Sequence, residues 1–314
     1  MVTHTARHGS GWTAAAVAGL LLITLVLTPQ HAQAAGNVPP RWQPLAQRLV
    51  DEGISNELVM ALFSRSDVIY KSEYMGKKIR ALYRIKYDKH KPPARAQERP
   101  GRRDKRTIYD VHLTPDRLAA IRLFCVEYQG ALQHVEKQYG TPPELVMAIL
   151  VVETRLGEYL GVQSAFNALA SMAAARSLDD IGGFVPDSLT PEQKKYLTER
   201  MDDKSDWALK QLKALIRFAT TNKLDPVSMP GSIYGAIGLC QFMPATALEC
   251  GVDGDGDGRV DLYDPADAVH SVGFFLKRAG WKSGLSQKKR VKVIRRYNND
   301  EFYARTVLRI ATRL

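Results

Sequence analysis

Cysteine is scarce, with three residues in 314. That excludes a fold built on a disulfide framework. Period-two alternation is almost missing, which excludes an all-β sandwich or barrel. No long apolar run is present either. The uncharged stretch Ala14–Leu27 has 14 residues, short of the roughly 20 that span a bilayer as a helix. Acidic residues are in deficit, 33 Asp and Glu against 44 Lys and Arg, for a net charge of +11. Such an excess suits an anionic partner: nucleic acid, a membrane surface or an acidic polymer. What remains is ordinary globular composition, 45% hydrophobic and 25% charged. It excludes a disordered or collagen-like chain and is ample for a buried core.

The first 34 residues read as a secretory signal peptide. Arg7 supplies the positive end and Ala14–Leu27 the apolar segment. Pro29 follows, then the small-x-small site Ala32-Gln33-Ala34, with cleavage expected before Ala35. An uncleaved anchor is the competing reading, and the short run argues against it. The expectation is an exported, periplasmic chain, soluble after cleavage. No cysteine precedes Cys125, so none is available for lipid attachment at the cleavage site. Export removes nucleic acid as a partner and permits disulfides. Cys240 and Cys250 either pair or stay as buried free thiols, with Cys125 left over on an apolar helical face.

Residues 45–85 carry helical periodicity through Leu45, Leu49, Ile54, Leu58 and Leu62. Residues 84–106 then hold ten Lys or Arg, three acids and almost no aliphatics. This reads as a basic, disordered insertion: an electrostatic tether, or a solvated loop without a partner. A helix is expected from Thr114-Pro115-Asp116 to Tyr139. The next starts at Thr141-Pro142-Pro143-Glu144, with Thr141 as N-cap and Glu144 closing a capping box. Further helices fall over 190–222, 265–280 and 286–314. Gly182–Val185 belongs to a small sheet or a loop. The fold class is mostly α (α+β), one domain over 35–314.

The helix from Pro142 reads ELVMAILVVETRLG. It is apolar on every face between Leu145 and Val152, so it must be buried all round. Glu153 appears in its last turn, and Gly157 is the expected C-cap. Burial and the negative helix end both disfavour the carboxylate and raise its pKa toward that of a general acid. The competing reading is a structural glutamate paired to a base.

Downstream, Gly231, Gly235 and Gly238 suit a tight turn, a close ligand approach or tight packing. Ser232 and Gln241 beside them offer neutral groups for sugar hydroxyls and acetamides. The sharpest motif is DGDGDGRVD at 253–261. Acids stand at positions 1, 3, 5 and 9 of an EF-hand-like loop, glycine at 6, and the Arg259 carbonyl at 7. Position 12 is Asp264, whose short side chain makes a ligand from Asp267 plausible. Finally, Tyr297-Asn298-Asn299 interrupts a helical pattern. It offers a phenolic hydroxyl near a carboxyl and amide contacts to a sugar, or simply an interhelical turn.

Together and in this order, VETRLG at 152–157, PGSIYGAIGLCQFMP at 230–244, DGDGDGRVDLYDPAD at 253–267 and YNN at 297–299 resemble the lytic murein transglycosylases of the membrane-bound type B family. The resemblance covers roughly 120–310 and implies a lysozyme-like catalytic fold with a calcium loop. It places Glu153 on the single catalytic acid/base. Ser232 and Gln241 fall on glycan contacts, Tyr297 and Asn298 on the pair lining the cleft, and Phe275 on a cleft position that can be tyrosine. Structural Ca²⁺ would be held by Asp253, Asp255, Asp257, the Arg259 carbonyl and Asp267; no organic cofactor is implied. The chain departs from the family at Leu156, where an aromatic is common, at Phe275, and in its basic insertion.

The implied reaction is cleavage of the β-1,4 bond between N-acetylmuramic acid and N-acetylglucosamine in peptidoglycan, forming 1,6-anhydromuramic acid. The alternatives are a hydrolytic muramidase and a non-catalytic, calcium-stabilised peptidoglycan-binding module. The partner is the glycan strand, with an anionic wall or membrane surface for residues 84–106 and no nucleic acid. The charge fits this division. Without Arg7 the net is +10, of which the insertion carries +7 and the rest of the chain +3.

Overall fold

The computed structural model describes residues 37–88 and 114–314, all within one compact unit, Gly36–Leu314. The expected signal peptide and most of the basic insertion lie outside the described residues. In chain order the helices are α1 (Gln43–Asp51), α2 (Asn56–Phe63), α3 (Glu73–Tyr87), α4 (Pro115–Glu127), α5 (Gln129–Tyr139), α6 (Pro143–Thr154), α7 (Ala165–Ala174), α8 (Pro191–Thr221), α9 (Pro244–Cys250), α10 (Pro265–Arg278), α11 (Gln287–Ile294) and α12 (Glu301–Ala311). One antiparallel ribbon pairs β1 (Gln163–Ser164) with β2 (Pro230–Gly231). Gly182–Val185 is loop, after a 3₁₀ turn at Leu178–Ile181.

Helix α6 occupies the centre because its sequence leaves no polar face. Leu145 to Val151 are all 2% exposed or less. Helices α5, α10 and α12 pack around it. Its start differs from the sequence expectation: Pro142 is the N-cap and no side chain caps the helix. Thr141 is fully buried and donates to the Gly273 carbonyl of α10 at 3.2 Å. A tertiary acceptor has won over the local cap. The capping box appears instead at α8, where Thr190 and Gln193 bond reciprocally across the first turn.

The remaining helices build the other side of the core. Alanine-rich α7 lies against α8, whose 31 residues make a rod about 46 Å long. Trp42, Phe63 and Phe166 interlock there, with ring centroids 5.4–5.5 Å apart. The helix expected over 114–139 breaks at Tyr128, which leaves helical backbone (φ −105°, ψ 25°) while its ring packs tilted against Phe124, centroids 4.6 Å apart. Helix α3 continues to Tyr87, so residues 84–87 of the expected insertion are helical.

Candidate active site

The end of α6 is built to stop just past Glu153. The helix closes at Thr154, and Arg155, Leu156 and Gly157 all take positive φ (55°, 62° and 94°). Arg155 is thus the C-cap, ahead of the expected Gly157. The Leu156 amide reaches back to the Leu150 carbonyl at 3.2 Å and the Arg155 amide to Val151 at 3.1 Å, so carbonyls of the last turn are satisfied by the chain that leaves the helix. Left-handed backbone costs a side-chain-bearing residue about 1–2 kcal/mol. Two such residues, Arg155 and Leu156, stand just past Glu153 with only Thr154 between. Arg155 is exposed and Glu153 has no basic partner among the described residues, against the reading of a paired structural glutamate.

Thr154 ties this end down. Its buried hydroxyl donates to the Leu239 carbonyl at 2.9 Å and accepts from the Gly157 amide at 3.1 Å. Leu239 lies in the glycine-rich segment, and its amide donates to Leu262 at 2.9 Å. A continuous chain of bonds therefore joins the Glu153 turn to the segment after the acidic loop. The glycines serve packing. A Cβ on Gly235 would stand 2.4 Å from Leu169, and one on Gly238 2.4 Å from Leu262, both at positive φ.

Glu153 is half-buried, and Tyr303 of α12 donates its phenolic hydrogen to Glu153 Oε1 at 2.6 Å. Burial lifts the Glu153 pKa to about 7, and the Tyr303 bond pulls the other way. Burial and the neighbouring carboxyl group hold the Tyr303 phenol well above its ordinary range, so it stays a donor. Among the described residues no second carboxyl group acts on Glu153.

Tyr297 is next to this pair, with a different acceptor for its hydroxyl. Its hydroxyl donates to the Cys240 carbonyl. Its ring lies nearly parallel to Tyr303 (11°, centroids 6.3 Å apart) and edge-on to Phe275 at 4.9 Å. Phe242 completes the aromatic group at 5.5 Å from Phe275. The phenol beside the carboxyl is therefore Tyr303, which the sequence reading missed. Asn298 is exposed in the turn before α12. Ser232 Oγ accepts from the Tyr234 and Ala236 amides, and Gln241, at φ 48°, donates to the Gly238 carbonyl. Their hydrogen bonds run within their own loop, not to Glu153. All three cysteines are free thiols, and burial pushes the Cys240 thiol up to about 12.

In the acidic loop, Asp253, Asp255 and Asp267 bring carboxylate oxygens within 4.8 Å of one another. Asp267 is 2% exposed and accepts from the Gly254 and Asp261 amides at 2.7 and 2.6 Å. Asp264 is the N-cap of α10, accepting from Ala266 and Asp267, and so is spent elsewhere. Asp257 turns away to pair with Arg259 at 2.8 Å. Three convergent carboxylates, one of them buried, form an oxygen-only donor set that fits a hard divalent ion.

A family model described as the transglycosylase SLT domain matches residues 38–293. The chain belongs to this family. It is 31% identical over 172 residues to membrane-bound lytic murein transglycosylase B of Escherichia coli K12, a match covering 55% of this chain and 41% of that protein. The match thus spans less than half of the relative's length. Its fold is that of E. coli lytic transglycosylase Slt35, solved with bulgecin A (TM-score 0.63, 21% identity, covering 91% of this chain and 97% of the other) and with calcium (TM-score 0.61). Pseudomonas aeruginosa SltB3, solved with a NAG-anhNAM-pentapeptide, matches with a TM-score of 0.62 at 19% identity, over 86% of this chain and 78% of the other.

Proposed function

We propose that this chain is a lytic transglycosylase that cleaves the β-1,4 bond between N-acetylmuramic acid and N-acetylglucosamine in peptidoglycan. The observation that carries the reading is a lone carboxyl group. Glu153 keeps its proton near neutral pH through burial, is aimed by Tyr303, and has no second acid beside it among the described residues. Most glycosidases use two carboxyl groups. One suffices if the substrate's own acetamido group stabilises the cationic centre.

Protonated Glu153 gives its hydrogen to the leaving glycosidic oxygen as the bond to the anomeric carbon breaks. As a carboxylate it then takes the hydrogen of the muramic acid 6-hydroxyl. That oxygen attacks the anomeric carbon and closes the 1,6-anhydro ring. Glu153 ends protonated, as it began, and no water enters. A donor whose pKa lies near working pH serves both steps. Tyr303 holds the carboxyl in place through both, and the rings of Tyr297 and Phe275 line the approach. Ser232, Gln241 and Asn298 are assigned to glycan contacts. The NAG-anhNAM ligand of the SltB3 structure supports the product, and its mass tests it: an anhydro product is one water lighter than a hydrolytic one.

Calcium would be held by Asp253, Asp255 and Asp267, with Asp257 released from Arg259 and the Arg259 carbonyl completing the set. Its contribution is to tie the loop to α10. Export through the 1–34 leader to the periplasm would bring the chain to its polymer. No helix among the described residues is long and apolar enough to cross a membrane. The basic insertion at 84–106 is assigned to attachment at an anionic wall or membrane surface.

A further inference from the structure

Between Lys277 and Arg296 the chain holds nine Lys or Arg and no acid. The modest +3 outside the insertion hides this, because the six aspartates of 253–267 offset it in the sum. The charge is also ordered in space. On α11 and the turn that continues it, Lys288, Lys289, Lys292, Arg295 and Arg296 fall within about 120° of one face by helical spacing. All five are exposed, and Ile294 opposite them is fully buried.

No ion pair to any of the five is recorded among the described residues. Arg295 donates to Asn299 Oδ1 at 2.8 Å and Arg296 to the Ala279 carbonyl at 2.9 Å, both neutral acceptors. Lys292, Arg295 and Arg296 suit the negative end of α11, but the strip as a whole works against the start of the helix and against itself. Lys288 with Lys292, and Lys292 with Arg296, are like-charge neighbours four residues apart. The first turn has two lysines and no acid, the wrong sign for the positive helix end. Same-sign charge kept against local stability marks a place where an outside partner supplies the opposite sign.

The strip leads directly into Tyr297, beside Glu153. No large exposed hydrophobic side chain lies between residues 277 and 300, whereas faces that settle into lipid combine basic and apolar groups. Resting on the reading that the cleft takes peptidoglycan, we infer that this face docks the carboxylate-bearing peptide stems of the strand outside the cleft. It holds the polymer electrostatically while Glu153 acts on the glycan.

The test is co-sedimentation of the full chain with purified sacculi. Wild-type binding is expected to fall steeply between about 50 and 300 mM NaCl. The Lys288→Gln/Lys289→Gln/Lys292→Gln variant is expected to bind at least about tenfold more weakly at low salt, with a flatter salt dependence. It should melt no lower than wild type, since repulsion is relieved. Sacculi whose carboxylates have been converted to amides should erase the difference between the two proteins. Equal binding of both proteins to untreated sacculi at low salt overturns the proposal. So does a variant that loses binding to phosphatidylglycerol vesicles but not to sacculi, which would assign the face to lipid. If charge-dependent binding is found but no anhydro product is released, the docking face stands and the catalytic reading falls.

Discussion

At the residue scale, the account depends on one proton. The Glu153 carboxyl sits at about 7, against 4.5 for the ordinary group. As a general acid it loses its hydrogen as pH rises through 7, so kcat/KM is expected to decline above that value. Glu153→Gln should lower muropeptide release by about 10²–10⁴-fold, the usual worth of a positioned acid/base. The same shift has a stability consequence. The folded chain keeps a proton that the unfolded chain gives up between pH 4.5 and 7. Stability from this group is full below 4.5 and drains away as pH rises to 7. Glu153→Gln escapes the loss, so its advantage in unfolding free energy over wild type should be negligible near pH 4.5 and reach about 3 kcal/mol by pH 8, read by denaturant titration at the two pH values. Tyr303→Phe separates positioning from packing. The phenol's bond favours the carboxylate, so its removal should move the alkaline limb of the pH profile upward while kcat falls. An unmoved limb would reduce Tyr303 to a packing residue.

At the scale of elements, the sequence spoke most clearly where a pattern was local. The all-round apolar run of α6 could only be a central helix, and an acid at its end had to be perturbed. The aspartate spacing of 253–267 led to a cluster whose members converge in space, with Asp267 inside it and Asp264 diverted to cap α10. What was hidden depends on contacts far apart in sequence. Tyr303 meets Glu153 across 150 positions only because α12 packs on α6. Thr141 leaves its helix end for a carbonyl of α10 132 residues away. The sequence put a phenol near a carboxyl at Tyr297; its hydroxyl donates to the Cys240 carbonyl, and the phenol bonded to Glu153 is Tyr303.

The acidic loop gives this scale its prediction. A ligand bound only by the folded state, at about 100 times its Kd, stabilises by about 2.7 kcal/mol. Added Ca²⁺ should therefore raise Tm and chelation should lower it. Asp267→Asn should abolish the response, and a chain whose Tm ignores both Ca²⁺ and chelator holds no such ion.

At the scale of the whole molecule, the positive charge falls into two parts: a basic insertion and the exposed face of α11. Deleting residues 89–106 should weaken attachment to anionic surfaces at low salt and leave kcat intact; an inactive deletion variant would show that the insertion serves the chemistry. The most direct test of the central claim is mass analysis of the products released from purified sacculi by wild type and by Glu153→Gln. The account predicts 1,6-anhydro products from wild type and almost none from the variant. Products carrying the added water, or equal release by the variant, would contradict it.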